Sequence, residues 1–181
     1  HGDLQHGNIL VKSDGSIVVI DYDSMFIEPL KGMNDTIKGL PGYQHPARQK
    51  NQFVNSKLDY FSELVIYLSL LIYSDNSPLW NEFYETEDLL FSKEDFLDPH
   101  NSKLINQQLR SSNSKIADLS RKMIEELKAT DIEQLHPLDE LLVDKLEKAK
   151  ETIFDKWNNQ PNPPEKKERI KPNKNDITDK F

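Results

Sequence analysis

HGDLQHGNILV, residues 1–11, is the stretch on which the reading of this chain turns. Two His, one Asp, one Asn and two Gly stand within eight residues, and an apolar run follows at once. A plain surface loop has no use for that density of polar groups. No Met opens the stretch, so the expectation is a cut upstream, beside a catalytic loop.

Working outward, ILVK (9–12) and IVVI (17–20) are short β-branched runs separated by Ser-Asp-Gly-Ser. That is turn chemistry between two strands, and it predicts a β-hairpin. A hairpin brings the loops at its two ends together: HGDLQHGN before the first arm, and DYDS after the second. From Met25 to Asn55 the chain carries Gly32, Gly39, Pro41, Gly42 and Pro46 without a sustained period, which reads as a long ordered loop.

The text KLDYFSELVIYLSLLIY, residues 57–73, has apolar residues at 58, 61, 64, 65, 68, 71 and 72, the spacing of a helix face. Ile66, Tyr67 and Leu70 make the other side apolar too, so the helix is expected in the middle of a domain. Asp59 stands near its start, where a carboxylate suits the dipole and can cap amides. Further helices are predicted over 79–84, 102–109, 114–127 and 138–157. Trp80, Phe83, Tyr84, Phe91 and Phe96 read as core. His45, His100 and His136 lie too far apart for metal-ligand spacing and read as surface or capping groups. The last 24 residues, 158–181, hold four Pro, many charges and no apolar period. Such a tail is expected to be disordered, because it cannot repay its ordering entropy. Lys166 to Arg169 within it reads as solvated linker. The fold class expected is mainly α with a small β-hairpin, over a single domain 1–157.

Bulk properties narrow the function classes. With 181 residues the chain can bury a real core. Its longest apolar stretch, Leu64 to Tyr73, is about half of the roughly 20 residues that span a bilayer. No membrane span and no signal peptide are expected. Zero Cys excludes thiol catalysis, disulfides and Cys-ligated zinc, and the expected location is cytoplasmic. A net charge of −8 disfavours nucleic acid as a partner. It does not disfavour ATP, whose phosphates arrive with magnesium.

The oxygen-bearing groups at the front are Asp3, Asn8 and Asp21, spaced by five and thirteen residues. Phosphoryl transfer to a hydroxyl needs a carboxylate to orient it and take its proton, together with hard oxygen ligands for Mg²⁺ or Mn²⁺. Asp3 is the candidate base, Asn8 one ligand and Asp21 the main ligand, with the hairpin holding both ligands on one side of the ion.

HGDLQHGNILV resembles the catalytic loop H-R-D-x-x-x-x-N of the protein-kinase-like superfamily, and IDYD (20–23) is similar to its D-F-G metal-binding element. GLPGYQHP (39–46) resembles the end of an activation segment, with Tyr43 and Pro46 in a Y-x-x-P arrangement on the substrate side. KLDYFSELVIYLSLL resembles the family's buried central helix, whose leading Asp hydrogen-bonds the catalytic-loop backbone; Asp59 takes that part. More narrowly, the combination is similar to bacterial serine/threonine-kinase-like proteins. The resemblance covers 1–73 well, is vaguer to 157 and is absent beyond. It implies a kinase C-lobe with catalytic loop 1–8, metal-binding element 21–23, activation segment 21–46 and central helix 57–73. Implied too are ATP and magnesium as cofactors, a protein substrate, and structural support of the loop by His1. The Gly-rich loop, its Lys and the hinge of that family precede the catalytic loop and cannot be found after His1. A missing N-lobe is therefore required, and the fragment alone is expected to be inactive.

Four positions depart from the pattern. Gly2 replaces the Arg of H-R-D, which argues against activation by loop phosphorylation. Gln5 stands where a Lys often meets the transferring phosphate. Asp23 replaces the last Gly of D-F-G, as a solvated turn residue or a carboxylate near magnesium. His45-Pro46 stands in place of Ala-Pro-Glu. His6 reads as loop packing, with a substrate contact as the alternative. The Gly of HGD also resembles small-molecule phosphotransferases acting on aminoglycosides or choline. A kinase-shaped binding module without turnover is the third reading.

Overall fold

The computed structural model describes residues 1–84 and 87–143. Residues 144–157 of the helix expected over 138–157, and the tail 158–181, lie outside the described residues.

The Ser13–Ser16 turn closes the hairpin by local polar bonding. Asp14 Oδ1 accepts the Ser16 amide at 2.9 Å and its hydroxyl at 2.7 Å. Strands β1 (Ile9–Val11) and β2 (Ile17–Val19) pair antiparallel, Ile9 opposite Val19, Leu10 opposite Val18 and Val11 opposite Ile17. Each is a residue shorter than its sequence run. The pairing nonetheless continues at the open end, where the Ile20 amide donates to the Asn8 carbonyl at 3.0 Å. Alternation along the strands puts Asn8, Leu10, Val18 and Ile20 on one face and Ile9, Val11, Ile17 and Val19 on the other. Leu10, Val11, Ile17 and Ile20 are all exposed. The hairpin therefore buries neither face well.

The helical part does the opposite. Helix α1 spans Tyr60–Asp75 and starts three residues later than the apolar period suggests. The residues before it form a turn, in which the Tyr60 amide donates to the Lys57 carbonyl at 3.3 Å. Asn55 Oδ1 takes the Lys57 amide at 2.8 Å, and Lys57 Nζ reaches the carbonyls of Glu133 and Leu135 at 2.5 and 2.9 Å. Phe61, Leu64, Val65, Leu68 and Ile72 of α1 are buried, while Leu70 is 55 % exposed. The helix is central but not covered all round; Leu70 faces outward, contrary to the expectation from sequence.

With α1 pack α2 (Pro78–Phe83), α4 (Lys103–Gln108) and α5 (Ser114–Glu126), close to their expected positions, and α6 (Leu138–Leu142), which starts where expected but ends at an extended Val143 and so does not run unbroken towards 157. Helix α3 (Lys93–Leu97) went unpredicted. Its signal is a capping box: Ser92 and Asp95 bond reciprocally, and Asp95 also takes the Ser102 hydroxyl at 2.6 Å. Ser102 in turn caps α4 by accepting the Ile105 amide, so one carboxylate orients two helix starts. Phe91, Phe96, Leu104, Ile105, Ile116, Leu119 and Met123 complete the core with α1. Trp80 and Phe83 only flank it and Tyr84 is exposed, so part of the expected aromatic core is peripheral.

The long loop 25–55 is ordered, as expected, and contains 3₁₀ turns at Glu28–Leu30, Pro41–Tyr43 and Pro46–Lys50. An isolated antiparallel bridge joins Asn34 to Phe53. The architecture is thus mainly α with one small antiparallel hairpin. No helix among the described residues is long and apolar enough to cross a membrane.

Candidate functional site

The 1–8 loop is held from three sides. Asp59, the residue before α1, spends its carboxylate outside its own helix. Its oxygens accept the Gly2 amide at 2.9 and 3.1 Å and the amino nitrogen of His1 at 2.6 Å. It makes no side-chain cap to α1, the use that helix spacing had suggested. The His1 ring supplies the second tie. Its Nδ1 accepts the Asp3 amide at 3.3 Å, which leaves Nε2 to donate to the Ile20 carbonyl at 2.8 Å. His1 therefore clamps the loop to the end of β2. The third tie is the 3₁₀ turn His6–Asn8, which feeds directly into β1.

Gly2 has a structural reason. Its φ is +86°, and a Cβ there would stand 2.3 Å from the Ser24 carbonyl oxygen. No side chain fits between the loop and the residues that follow β2, whatever charge it carries.

Asp3 and Asn8 are in direct contact: Asn8 Nδ2 donates to the Asp3 carbonyl at 2.9 Å. This uses the amide nitrogen and leaves Oδ1 as the part of Asn8 able to meet a cation. Asn8 is otherwise buried. Asp21 follows Ile20, whose amide is bonded to Asn8 and whose carbonyl is bonded to His1. It is exposed and has φ of +65°, left-handed backbone that a non-glycine residue adopts at a cost of about 1–2 kcal/mol. The hairpin register thus brings the Asp21 backbone beside the 3–8 loop. Asp23 is exposed.

The Asp3 carboxylate faces the chain at 39–44. Its Oδ1 is buried and has no hydrogen-bond partner. A Cβ on Gly39 would lie 2.7 Å from that oxygen and 2.8 Å from Gln44 Nε2. Gly39 is itself left-handed, at φ +68°. The loop approaches Asp3 as closely as it does because residue 39 has no side chain.

Tyr43 and Pro46, expected on the substrate side, sit in the two 3₁₀ turns of this segment. Tyr43 is fully buried, and its hydroxyl is paired with His6 Nδ1. Burial, and secondarily the charge of Asp88, raises the phenol far above its ordinary range. His6 therefore packs the loop against the 41–43 turn. Pro46 opens the second turn, whose start is capped by His45: Nδ1 accepts the Ala47 amide at 3.1 Å, and Nε2 donates to the Glu126 carbonyl at 3.1 Å. His45 is 2 % exposed, so its expected place at the surface is wrong, while its capping role is observed. His136 is exposed and bonds the Glu126 carboxylate; His100 is exposed as well.

A buried ionic network beneath the segment escaped sequence reading. Arg48, 1 % exposed, reaches Asp35 at 3.3 Å, Gln44 Oε1 at 2.6 Å and the Ile37 carbonyl at 3.0 Å. Lys38 adds a second cation 3.0 Å from Asp35. A lone Arg in a Pro-punctuated loop carries no periodic signal, and its partner thirteen residues earlier carries none either.

Among the described residues, no group of three or more His, Asp or Glu side chains is arranged to hold a metal. The set at the front of the chain is smaller and harder: two carboxylates and one amide oxygen. Of these, Asp3 and Asn8 are bonded to one another, and the buried Asp3 Oδ1 is closed off by the 39–44 segment. No protein-family model matches the chain, and no curated protein and no solved structure matches it.

Proposed function

We propose that the chain is the C-lobe part of an ATP-dependent phosphotransferase of the protein-kinase-like superfamily, moving the γ-phosphoryl group to a Ser or Thr hydroxyl of a protein. What carries the reading is the unpartnered, buried Oδ1 of Asp3 on a loop tied to Asn8 and to the end of the hairpin. An orphaned buried carboxylate oxygen costs free energy, about 1–3 kcal/mol or more for a charged group. A reacting hydroxyl would satisfy it once the 39–44 segment, which closes over that oxygen, gives way.

In this mechanism Asp3 accepts the hydroxyl hydrogen bond, orients the oxygen for in-line attack and takes the proton as the new P–O bond forms. The ADP leaving oxygen departs as its bond to phosphorus breaks. Asn8 Oδ1 and Asp21 would hold Mg²⁺ or Mn²⁺, which draws charge from the phosphate oxygens. His1 and Asp59 fix the loop so that Asp3 need not be ordered at the moment of reaction. Leu10 and Ile20, exposed on the hairpin face that also carries Asn8, offer an apolar floor for the adenine ring. An N-terminal lobe would cover that floor and supply the phosphate-binding Lys. The pinned 39–50 segment opposite Asp3 suits a polypeptide hydroxyl better than a small-molecule one, because it leaves a shaped wall in place of an open basin.

The test is transfer from γ-labelled Mg-ATP to protein by the longest natural form of the chain. Asp3→Asn and Asp21→Ala should each lower the rate by at least about 100-fold, the range of a lost acid–base or metal group. Undiminished turnover in Asp21→Ala would sink the assignment. Binding of Mn²⁺ by the chain, read by water-proton relaxation and weakened in Asp21→Ala, checks the metal ligands without turnover.

A further inference from the structure

The chain holds three methionines and no cysteine, so thioethers are its only sulfur. Met123, in α5, is fully buried in the core. Met25 and Met33 are 40 % and 55 % exposed. Both line one small cavity of about 170 Å³, together with Leu30, Ile37 and Val54.

Their places along the backbone matter more than their exposure, for they mark the two ends of the 25–33 loop. Met25 follows Ser24, whose hydroxyl donates to the His1 carbonyl at 3.2 Å and whose own carbonyl lies against Gly2. The Met33 carbonyl accepts the Val54 amide at 2.9 Å and its amide donates to the Leu30 carbonyl at 2.9 Å, beside the Asn34–Phe53 bridge. Between these ends Ile27, Glu28, Pro29, Lys31 and Gly32 are all exposed. The loop is fastened at its ends, and at each end a partly covered thioether lines the same apolar wall.

Each sulfur is thus open enough for a small oxidant to reach it and covered enough for the change to matter. Oxidation turns a flexible apolar side chain into a polar one with a strong acceptor oxygen. The carboxylates on this cavity, Asp23 and Asp35, are acceptors themselves and cannot satisfy it. The Ser24 hydroxyl is spent on His1. The side-chain donors left, Asn34 and Thr36, are exposed. A sulfoxide here is best solvated by leaving the apolar wall.

We propose that Met25 and Met33 form a paired oxidation site, at which hydroperoxides convert both thioethers to sulfoxides and free the 25–33 loop from its anchors. With hydrogen peroxide, a sulfur lone pair attacks one peroxide oxygen, the O–O bond breaks and the other oxygen leaves as water. Sulfur gives up two electrons and the peroxide takes them. A thiol-dependent sulfoxide reductase reverses the step: the oxygen leaves as water while two thiols become a disulfide. The inference does not rest on phosphoryl transfer, since neither methionine is given a part in it.

The experiment treats the full chain with hydrogen peroxide, maps the added oxygen by peptide mass spectrometry and times tryptic cleavage after Lys31, inside the loop. Met25 and Met33 should each gain one oxygen while Met123 stays unmodified. Cleavage after Lys31 should quicken at least about fivefold, because proteolysis follows the population of the opened loop. The two methionine sulfoxide reductases with dithiothreitol should restore the slow rate. Met25→Leu or Met33→Leu alone should reduce the acceleration, and the two together should abolish it. Oxygen added to Met123 as quickly as to the other two, cleavage unchanged by oxidation, or acceleration undiminished in the double Leu variant would each overturn the proposal.

Discussion

The 41–48 segment and the hairpin both adjoin the 1–8 loop, and they are built on opposite plans. Tyr43, Gln44, His45, Ala47 and Arg48 are all buried, although the segment has no regular secondary structure beyond two 3₁₀ turns. The hairpin is regular, yet Leu10, Val11, Ile17 and Ile20 stand exposed. Regularity and burial are independent here. The irregular segment is fixed by side chains that satisfy one another, whereas the regular one is fixed by its backbone ladder and leaves its apolar faces unused. A site between the two has one rigid, finished wall and one wall with surface to spare.

The largest effect should come from breaking the finished wall. Arg48→Ala would strand the Asp35 carboxylate, whose side chain is 2 % exposed, and remove the partners of Gln44 and of the Ile37 carbonyl. Losing one side of a buried pair costs about 3–5 kcal/mol, a large share of the usual 5–15 kcal/mol for a domain. Lys38, 3.0 Å from Asp35, keeps the loss towards the lower end. Urea unfolding should show a strongly lowered midpoint, and a midpoint within experimental error of the parent would show that the network is ornamental. Asp35→Asn combined with Arg48→Met should lose less than Arg48→Ala, because no charge is then left buried alone.

Next comes Gly39→Ala. Its Cβ would need to displace the Asp3 carboxylate or the Gln44 amide, in a left-handed conformation that Ala adopts at a cost of about 1–2 kcal/mol. The expected outcome is a modest loss of stability together with a rearranged Asp3, seen as a changed carboxyl chemical shift of that residue by NMR. An Asp3 signal identical in both proteins would mean that the loop yields instead.

A smaller, pH-dependent effect belongs to His45. Burial lowers its pKa from the ordinary 6.5, and the nearby Glu126 only partly opposes this. The geometry agrees, because Nδ1 must stay unprotonated to cap Ala47. The unfolded chain therefore takes up a proton at this residue before the folded one does. The stabilisation is complete above about pH 6.5 and declines as the pH falls below it. Replacing His45 with Gln should flatten that part of the stability profile and cost about 1 kcal/mol at neutral pH for the weakened cap. Arg48 in the same turn, Lys93 on a cavity that His45 also lines, and His136 on Glu126 also face this corner. His136→Gln is accordingly the control: if it flattens the profile as much as His45→Gln, the assignment to His45 fails.

The same contrast explains what could be read before any coordinates. The hairpin and α1 were legible because their signals are local, a Ser-Asp-Gly-Ser turn and a helical period; of the front residues, Asp3 and Asn8 are found in contact across their five-residue spacing. The fit of Gly2 against the Ser24 carbonyl was not legible, since it depends on two segments meeting. Nor were the ties of Lys57 to the Glu133 and Leu135 carbonyls, which join segments far apart in the chain. Arg48, Asp35 and buried His45 were invisible for one reason: irregular backbone has no period, so nothing in the sequence marks which of its side chains turn inward. The small helix α3 was readable in principle from Ser92 and Asp95, but five residues are too few for an apolar period to show.

The smallest effect should be on the hairpin. Val11 and Ile17 face each other across the ladder, 71 % and 65 % exposed, and replacing both with Thr keeps β-branching while removing apolar surface. Because so little of that surface is buried, each change should move stability by no more than about 0.5 kcal/mol. The consequence to measure is solubility and self-association. If the uncovered faces are merely tolerated, the double variant should be as stable as the parent and less prone to associate at high concentration. If they are half of an interface within the described residues that a static view understates, stability should fall by more than about 1 kcal/mol. That outcome would erase the contrast, since the hairpin would then be as firmly built in as the segment across from it.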